Sequence, residues 1–209
     1  MRSLFAALWQ VEFALRLSRA ASTRISRKTL RRAISRLPDG RMPGTDRARA
    51  FNLTLAQSLH AAVHLLEREL GFSRAEAVSV ARRAFVDTGS WMARAGVRLW
   101  LWAERDPFAG VKTRGAASFA QALWGDGMVV QDRHSDDAVS LCVLNCPFHD
   151  YFWNVSCTNL TPILCAWDTA WQTEVNASDK PIRVDISSTL SEGAAMCEFT
   201  FRKPAGTRS

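Results

Sequence analysis

At 209 residues, 47% of them hydrophobic, the chain is long enough to bury one sizeable core or two small ones, because the buried fraction of a chain rises with its length. Disorder throughout is excluded on that ground, and eight Trp with eleven Phe predict an aromatic-rich interior. The net charge of +7 sits at one end, since residues 1–50 hold 12 Lys+Arg against 3 Asp+Glu while residues 51–209 hold 15 against 17. Such a basic arm is expected to be a solvated helix face or a partner-docking surface, and not a nucleic-acid interface.

The apolar stretch from Leu4 to Leu17 is broken by Gln10 and Glu12. It is too short to span a membrane and lacks the small-residue cleavage site of a secretory signal. Leu4, Phe5, Leu8, Val11, Phe13, Leu15 and Leu17 recur at helical spacing and predict a helix over 3–20. A shorter basic helix is expected over 29–37. Two prolines and two glycines within 38–46 predict a loop. That loop divides a basic helical N-terminal segment, residues 1–45, from a main domain, residues 46–209.

Leu53, Leu55, Leu59, Val63 and Leu66 predict a long helix from Asp46 to Leu70, closed by Gly71. Ser73 with Glu76 three residues on is a capping box, opening a helix that should end near Gly89. Trp91 to Glu104 reads as an aromatic helix, with Pro107 and Gly110 as its stop. The second half changes texture. Met128 to Val130 and Ala138 to Leu144 flank the polar turn Arg133 to Asp137 and predict a β-hairpin. Pro147 to Val155 predicts a short helix and Leu160 to Val175 a longer one, with Thr161 as N-cap and Pro162 at its first position. Ile182 to Ser187 and Met196 to Arg202 predict a second hairpin around Ser191-Glu192-Gly193. Helices first and hairpins later give an α+β fold, a helical N-terminal half packed on a small antiparallel sheet with helices.

The five cysteines, Cys142, Cys146, Cys157, Cys165 and Cys197, all lie in the last third. An odd number without a disulfide-scaffold spacing predicts reduced thiols in a cytoplasm. Three segments around them stand out: Cys146-Pro147-Phe148-His149, then Leu160-Thr161-Pro162 continuing to Cys165 and Asp168, then Thr189-Leu190-Ser191-Glu192-Gly193 followed by Cys197-Glu198-Phe199. Their order resembles the L-2-amino-thiazoline-4-carboxylic acid hydrolase family, over about residues 125–203. The positions matching the family pattern are Cys146, Leu160, Thr161, Cys165, Asp168, Thr189, Leu190, Gly193 and Cys197. Cys142 and Cys157 have no place in it. A basic residue expected just before Thr189 is replaced by Ile186-Ser187-Ser188, leaving Arg183 as the candidate for its role.

The resemblance implies hydrolytic opening of a cyclic amidine to an N-carbamoyl-cysteine type product, a step in amino-acid metabolism. That reaction calls for a base or thiolate, a carboxylate near the amidinium and an acid for the departing sulfur. Cys165 and Asp168, three apart, share a helix face, and Asp168 is placed to hold the amidinium and take a proton from water. Cys146 and His149 are set to activate one another, and Cys197 completes the catalytic candidates. Thr161, Thr189, Gly193 and Arg183 are the substrate-binding candidates.

No cofactor is expected. The rival account gives Cys146, His149, Cys165 and Cys197 to zinc or an iron–sulfur cluster, but no Cys-x-x-Cys knuckle or paired-histidine helix is expected to support it. The alternative function is a non-catalytic small-molecule or metal-binding module of the same fold. A small-molecule substrate and a homo-oligomeric assembly complete the expected partners.

Overall fold

The computed structural model describes residues 2–204. It opens with helices α1 (Arg2–Ala20), α2 (Arg27–Ile34), α3 (Arg47–Arg68), α4 (Arg74–Asp87), α5 (Ser90–Ala103), α6 (Pro107–Arg114) and α7 (Ala116–Trp124). Strands β1 (Val129–His134) and β2 (Ala138–Asn145) follow, then α8 (Pro147–Asn154), α9 (Thr161–Asp168), α10 (Ala170–Ala177), β3 (Arg183–Ser188) and β4 (Cys197–Arg202). The strands form one antiparallel sheet in the order β1-β2-β4-β3, so the fold is α+β.

Helix α3 is buried along much of its length: Leu55, Ala56, Leu59, Ala61, Ala62, Val63 and Leu66 all lose their solvent contact. A helix of that pattern belongs at the centre of a helical layer. Asp46 starts it by accepting the Ala48 N–H at 2.8 Å, a cap worth about 1 kcal/mol. Helix α1 lays Trp9, Phe13 and Leu17, spaced four apart, against α4, where Phe13 meets Phe85 edge-on at 5.5 Å between ring centroids. The basic side chains of Arg24, Lys28, Arg31 and Arg32 remain exposed around α2, while Leu30 and Ala33 are buried.

The 38–46 stretch is heavily bonded. Asp126 accepts the Thr45 hydroxyl at 2.6 Å and its N–H at 2.9 Å, and Arg41 and Met42 offer carbonyls to Asn154 and Arg49. Gly44, at φ +101°, lies so close to Asp126 and Gly127 that a Cβ there would meet Asp126 Oδ1 at 2.8 Å.

Three expectations need correction. Pro107 does not end a helix but starts α6, because Asp106 accepts the Ala109 N–H at 2.9 Å and proline is at home in a first turn. Helix α7 then buries Ala116, Ala120 and Trp124 at four-residue spacing. The expected helix over 160–175 is two helices. Thr169 bonds its hydroxyl back to the Ala166 carbonyl at 2.8 Å, a local bond that competes with helix continuation. Thr161 is not an N-cap either: the 3-10 turn Thr158–Leu160 already winds the chain, so Thr161 is the first residue of α9, with its hydroxyl oxygen buried and unpartnered among the described residues.

Candidate active site

Side-chain alternation decides which cysteines can meet. In β2 and β4, Val143 pairs with Cys197 and Cys142 with Glu198. Successive residues of a strand point to opposite faces, so Cys197 shares the core face with Leu141 and Val143, whereas Cys142 lies on the other face with Arg133 and Glu198. Two residues beyond Asn145's neighbour Leu144, the chain turns at Cys146, which stands at the head of α8.

Cys146, Cys165 and Cys197 are drawn together from three elements and influence one another electrostatically. Cys165 directs its thiol to Ser191 Oγ at 3.4 Å, and Ser191 is 3.0 Å from Thr189 Oγ1. Thr189 donates to Glu192 Oε2 at 2.9 Å. Cys197 Sγ accepts the Leu190 N–H at 3.2 Å, closing the connection between β3 and β4 onto the start of β4. Gly193, at φ +88° with open space where a Cβ would stand, lets that connection turn back.

Asp168 ends α9 one turn from Cys165. Its side chain is half-buried, and burial raises its carboxyl to about 7. Among the described residues no side chain donates a hydrogen bond to it. The three thiols also rise: burial pushes Cys146 to about 12 against the nearby N–H groups of His149 and Phe148. In Cys165 and Cys197 burial again leads, with Asp168 adding to it, and the Ser191 and Leu190 hydrogen bonds oppose it.

Helix α9 is held in place by Trp167, which donates to Thr88 O at 2.6 Å and meets Trp124 edge-on at 6.0 Å. Other candidates stay apart. Arg183 donates to the carbonyls of Lys180 and Ile182 at 3.1 and 2.6 Å. It stands at the far end of β3, about 16 Å from Ser188 at strand rise. His149 turns its ring toward Trp153, 6.4 Å away, and its Nδ1 is buried with no partner among the described residues. Cys157 lies by His60, with Sγ 3.8 Å from Nε2.

Ser191 and Glu192 were not among the sequence candidates, although they lie between Thr189 and Gly193 in the same motif. The four-residue spacing of His60 and His64 on α3 also went unread: the paired-histidine helix expected to be absent is present. Among the described residues, no three His, Cys, Asp or Glu side chains are grouped to hold a metal ion.

No curated protein matches the chain. The family model for L-2-amino-thiazoline-4-carboxylic acid hydrolase matches residues 51–201, a span that reaches back from the cysteine cluster through the helices supporting it. By that match, which takes in Cys146, Cys165, Asp168 and Cys197 together, the chain belongs to the L-2-amino-thiazoline-4-carboxylic acid hydrolase family.

Proposed function

We propose that the protein is a hydrolase that opens a thiazoline or related cyclic amidine, with Asp168 as its general base. One observation carries this reading: a half-buried carboxyl at about 7, with no donor among the described residues, beside Cys165. A base tuned near the working pH is most effective, and a half-buried carboxylate with no donor among the described residues favours a cationic amidinium as its neighbour.

Water adds to the ring carbon between nitrogen and sulfur, and Asp168 takes one of its protons. The tetrahedral carbon then releases sulfur: the C–S bond breaks, the proton on Asp168 goes to the departing sulfur, and the hydroxyl on that carbon gives its proton to solvent as the carbamoyl C=O forms. The product is an N-carbamoyl-cysteine, and water is the only co-reactant. Burial keeps the thiols of Cys146, Cys165 and Cys197 protonated, so they serve as a soft, polarizable wall for the ring sulfur and not as thiolate nucleophiles. Thr189, Gly193 and the Ser191 hydroxyl contact the substrate beside Cys165, and Thr161 supports α9 from its first turn.

A cytoplasmic setting fits five cysteines that are all free. Among the described residues no helix is long and apolar enough to cross a membrane. The test is release of free thiol from 2-amino-thiazoline-4-carboxylate by the native chain and by Asp168→Asn. Turnover that survives in a folded Asp168→Asn variant removes the base, and saturable binding without turnover in the native chain favours the non-catalytic module.

A further inference from the structure

A cavity of about 520 Å³ opens between α3, the start of α4 and the turn after α8. None of the groups assigned to ring opening lines it. Its walls carry His60, His64, Glu67, Arg68, Arg74 and Cys157, with Phe72 as an apolar side. Cys157 follows Ser156, a non-glycine residue at φ +53° in the left-handed region.

The hydrogen-bond pattern behind the cavity is directional. Tyr151 is fully buried, and among the described residues its hydroxyl finds one partner, His60 Nδ1 at 3.3 Å. Burial holds that hydroxyl up at about 12, so it keeps its proton. A buried donor needs an acceptor, so Tyr151 donates and Nδ1 accepts. The ring proton of His60 is then on Nε2, facing Cys157 Sγ at 3.8 Å. Burial first, then the nearby His64 and Arg74, lower His60 to about 4, which keeps the ring neutral and this tautomer in place. Arg74 Nη2 faces the same sulfur at 4.0 Å. Two N–H donors thus converge on Cys157 from different elements.

The charges differ in their commitments. Arg74 is paired with Glu67 at 2.7 Å and also reaches Asn159 Oδ1 at 3.3 Å. Arg68 is exposed and has no ion-pair partner among the described residues. The cavity therefore offers one uncommitted guanidinium, an apolar wall and a thiol with two aligned donors.

We propose that this cavity is a second reactive site, separate from the cluster around Asp168, which takes a small carboxylate-bearing electrophile. Arg68 holds the carboxylate, and Cys157 bonds to the electrophilic carbon. Iodoacetate is a probe of that class: the S–C bond forms as the C–I bond breaks, iodide leaves, and the thiol proton passes to solvent.

The native full chain is treated near neutral pH with iodoacetate or with neutral iodoacetamide, and labelling at each cysteine is followed by peptide mass spectrometry. Cys157 is expected to react about tenfold or more faster than Cys142, Cys146, Cys165 and Cys197, as the one of the five that lines the cavity and faces two N–H donors should. At Cys157 iodoacetate should outpace iodoacetamide, and Arg68→Gln, an exposed change that spares the core, should remove that preference by about twofold to fivefold. His60→Gln should slow Cys157 with both reagents. Equal labelling of all five thiols, or an iodoacetate preference that survives Arg68→Gln, overturns the proposal. Asp168→Asn should leave Cys157 labelling unchanged, and a slower rate in that variant would merge the two sites and overturn it as well.

Discussion

The indole N–H groups of Trp9 and Trp167 donate to the same carbonyl, Thr88 O, at 3.3 and 2.6 Å. Through that one oxygen the first helix of the chain is joined to α9, which carries Cys165 and Asp168. Phe13 packs beside Trp9 at 5.2 Å and is fully buried. Phe13→Ala is therefore expected to cost about 3–5 kcal/mol, the usual loss for a buried phenylalanine. Denaturant unfolding reads it out, and a midpoint close to that of the native chain would mean that α1 contributes little to the core.

Ring opening should follow the ionisation of Asp168. Its base form grows as pH rises through about 7, so kcat/KM should climb over that range and level off above it. Asp168→Asn should lower kcat/KM by about 10²–10⁴, the usual worth of a general base. A native pH profile that stays flat from weakly acid to weakly alkaline conditions would exclude a group of this kind.

The same carboxyl should destabilise the fold in alkali. Its value lies at 3.8 when unperturbed and about 7 in the folded chain, so between those limits the folded state holds the extra proton. Stability then declines as pH rises through that window, and the penalty is complete above it. At about 1.4 kcal/mol per pH unit this amounts to roughly 4 kcal/mol at most, less where solvent reaches the group. Asp168→Asn should melt higher than the native chain in weak alkali, and the two should converge in acid. A lower melting temperature for the variant in alkali contradicts the assignment.

Cys165 and Asp168 should act as a unit. Groups that serve one step lose their worth together, so Cys165→Ser combined with Asp168→Asn should be little slower than Asp168→Asn alone. Steady-state kinetics on the four proteins decides this, and losses that multiply would place the two residues in separate steps.

His60 should make the fold sensitive to acid. Its imidazole titrates at about 4 when folded against 6.5 ordinarily, so the stability tied to its neutral form is intact above about 6.5 and is lost as pH falls toward 4. His60→Gln should flatten that part of the stability profile, as measured by thermal melting across the range, and an unchanged slope would assign the acid loss to other groups.

Elements with strong local signals were legible in the chain itself. The capping box at Ser73 and Glu76, the apolar run of α3 and the turn at Gly193 depend on near neighbours, and each appears where its residues predict. The motif spacing around Cys146, Cys165, Asp168 and Cys197 was enough to indicate the family. Signals with two meanings were less decisive: Pro107 suits the start of a helix as well as the end of one, and Thr169 looked like one more helical residue until its hydroxyl turned back to Ala166. What only tertiary structure decided is which groups meet and in what state. Strand register puts Cys197 on the core face and Cys142 on the other, although the two cysteines look alike in sequence. Packing carries Arg183 away from the site and brings His60 to Cys157 across 97 positions. The charge on Asp168 depends on how much protein surrounds it, because the cost of removing an ion from water is set by everything in the neighbourhood and not by adjacent residues.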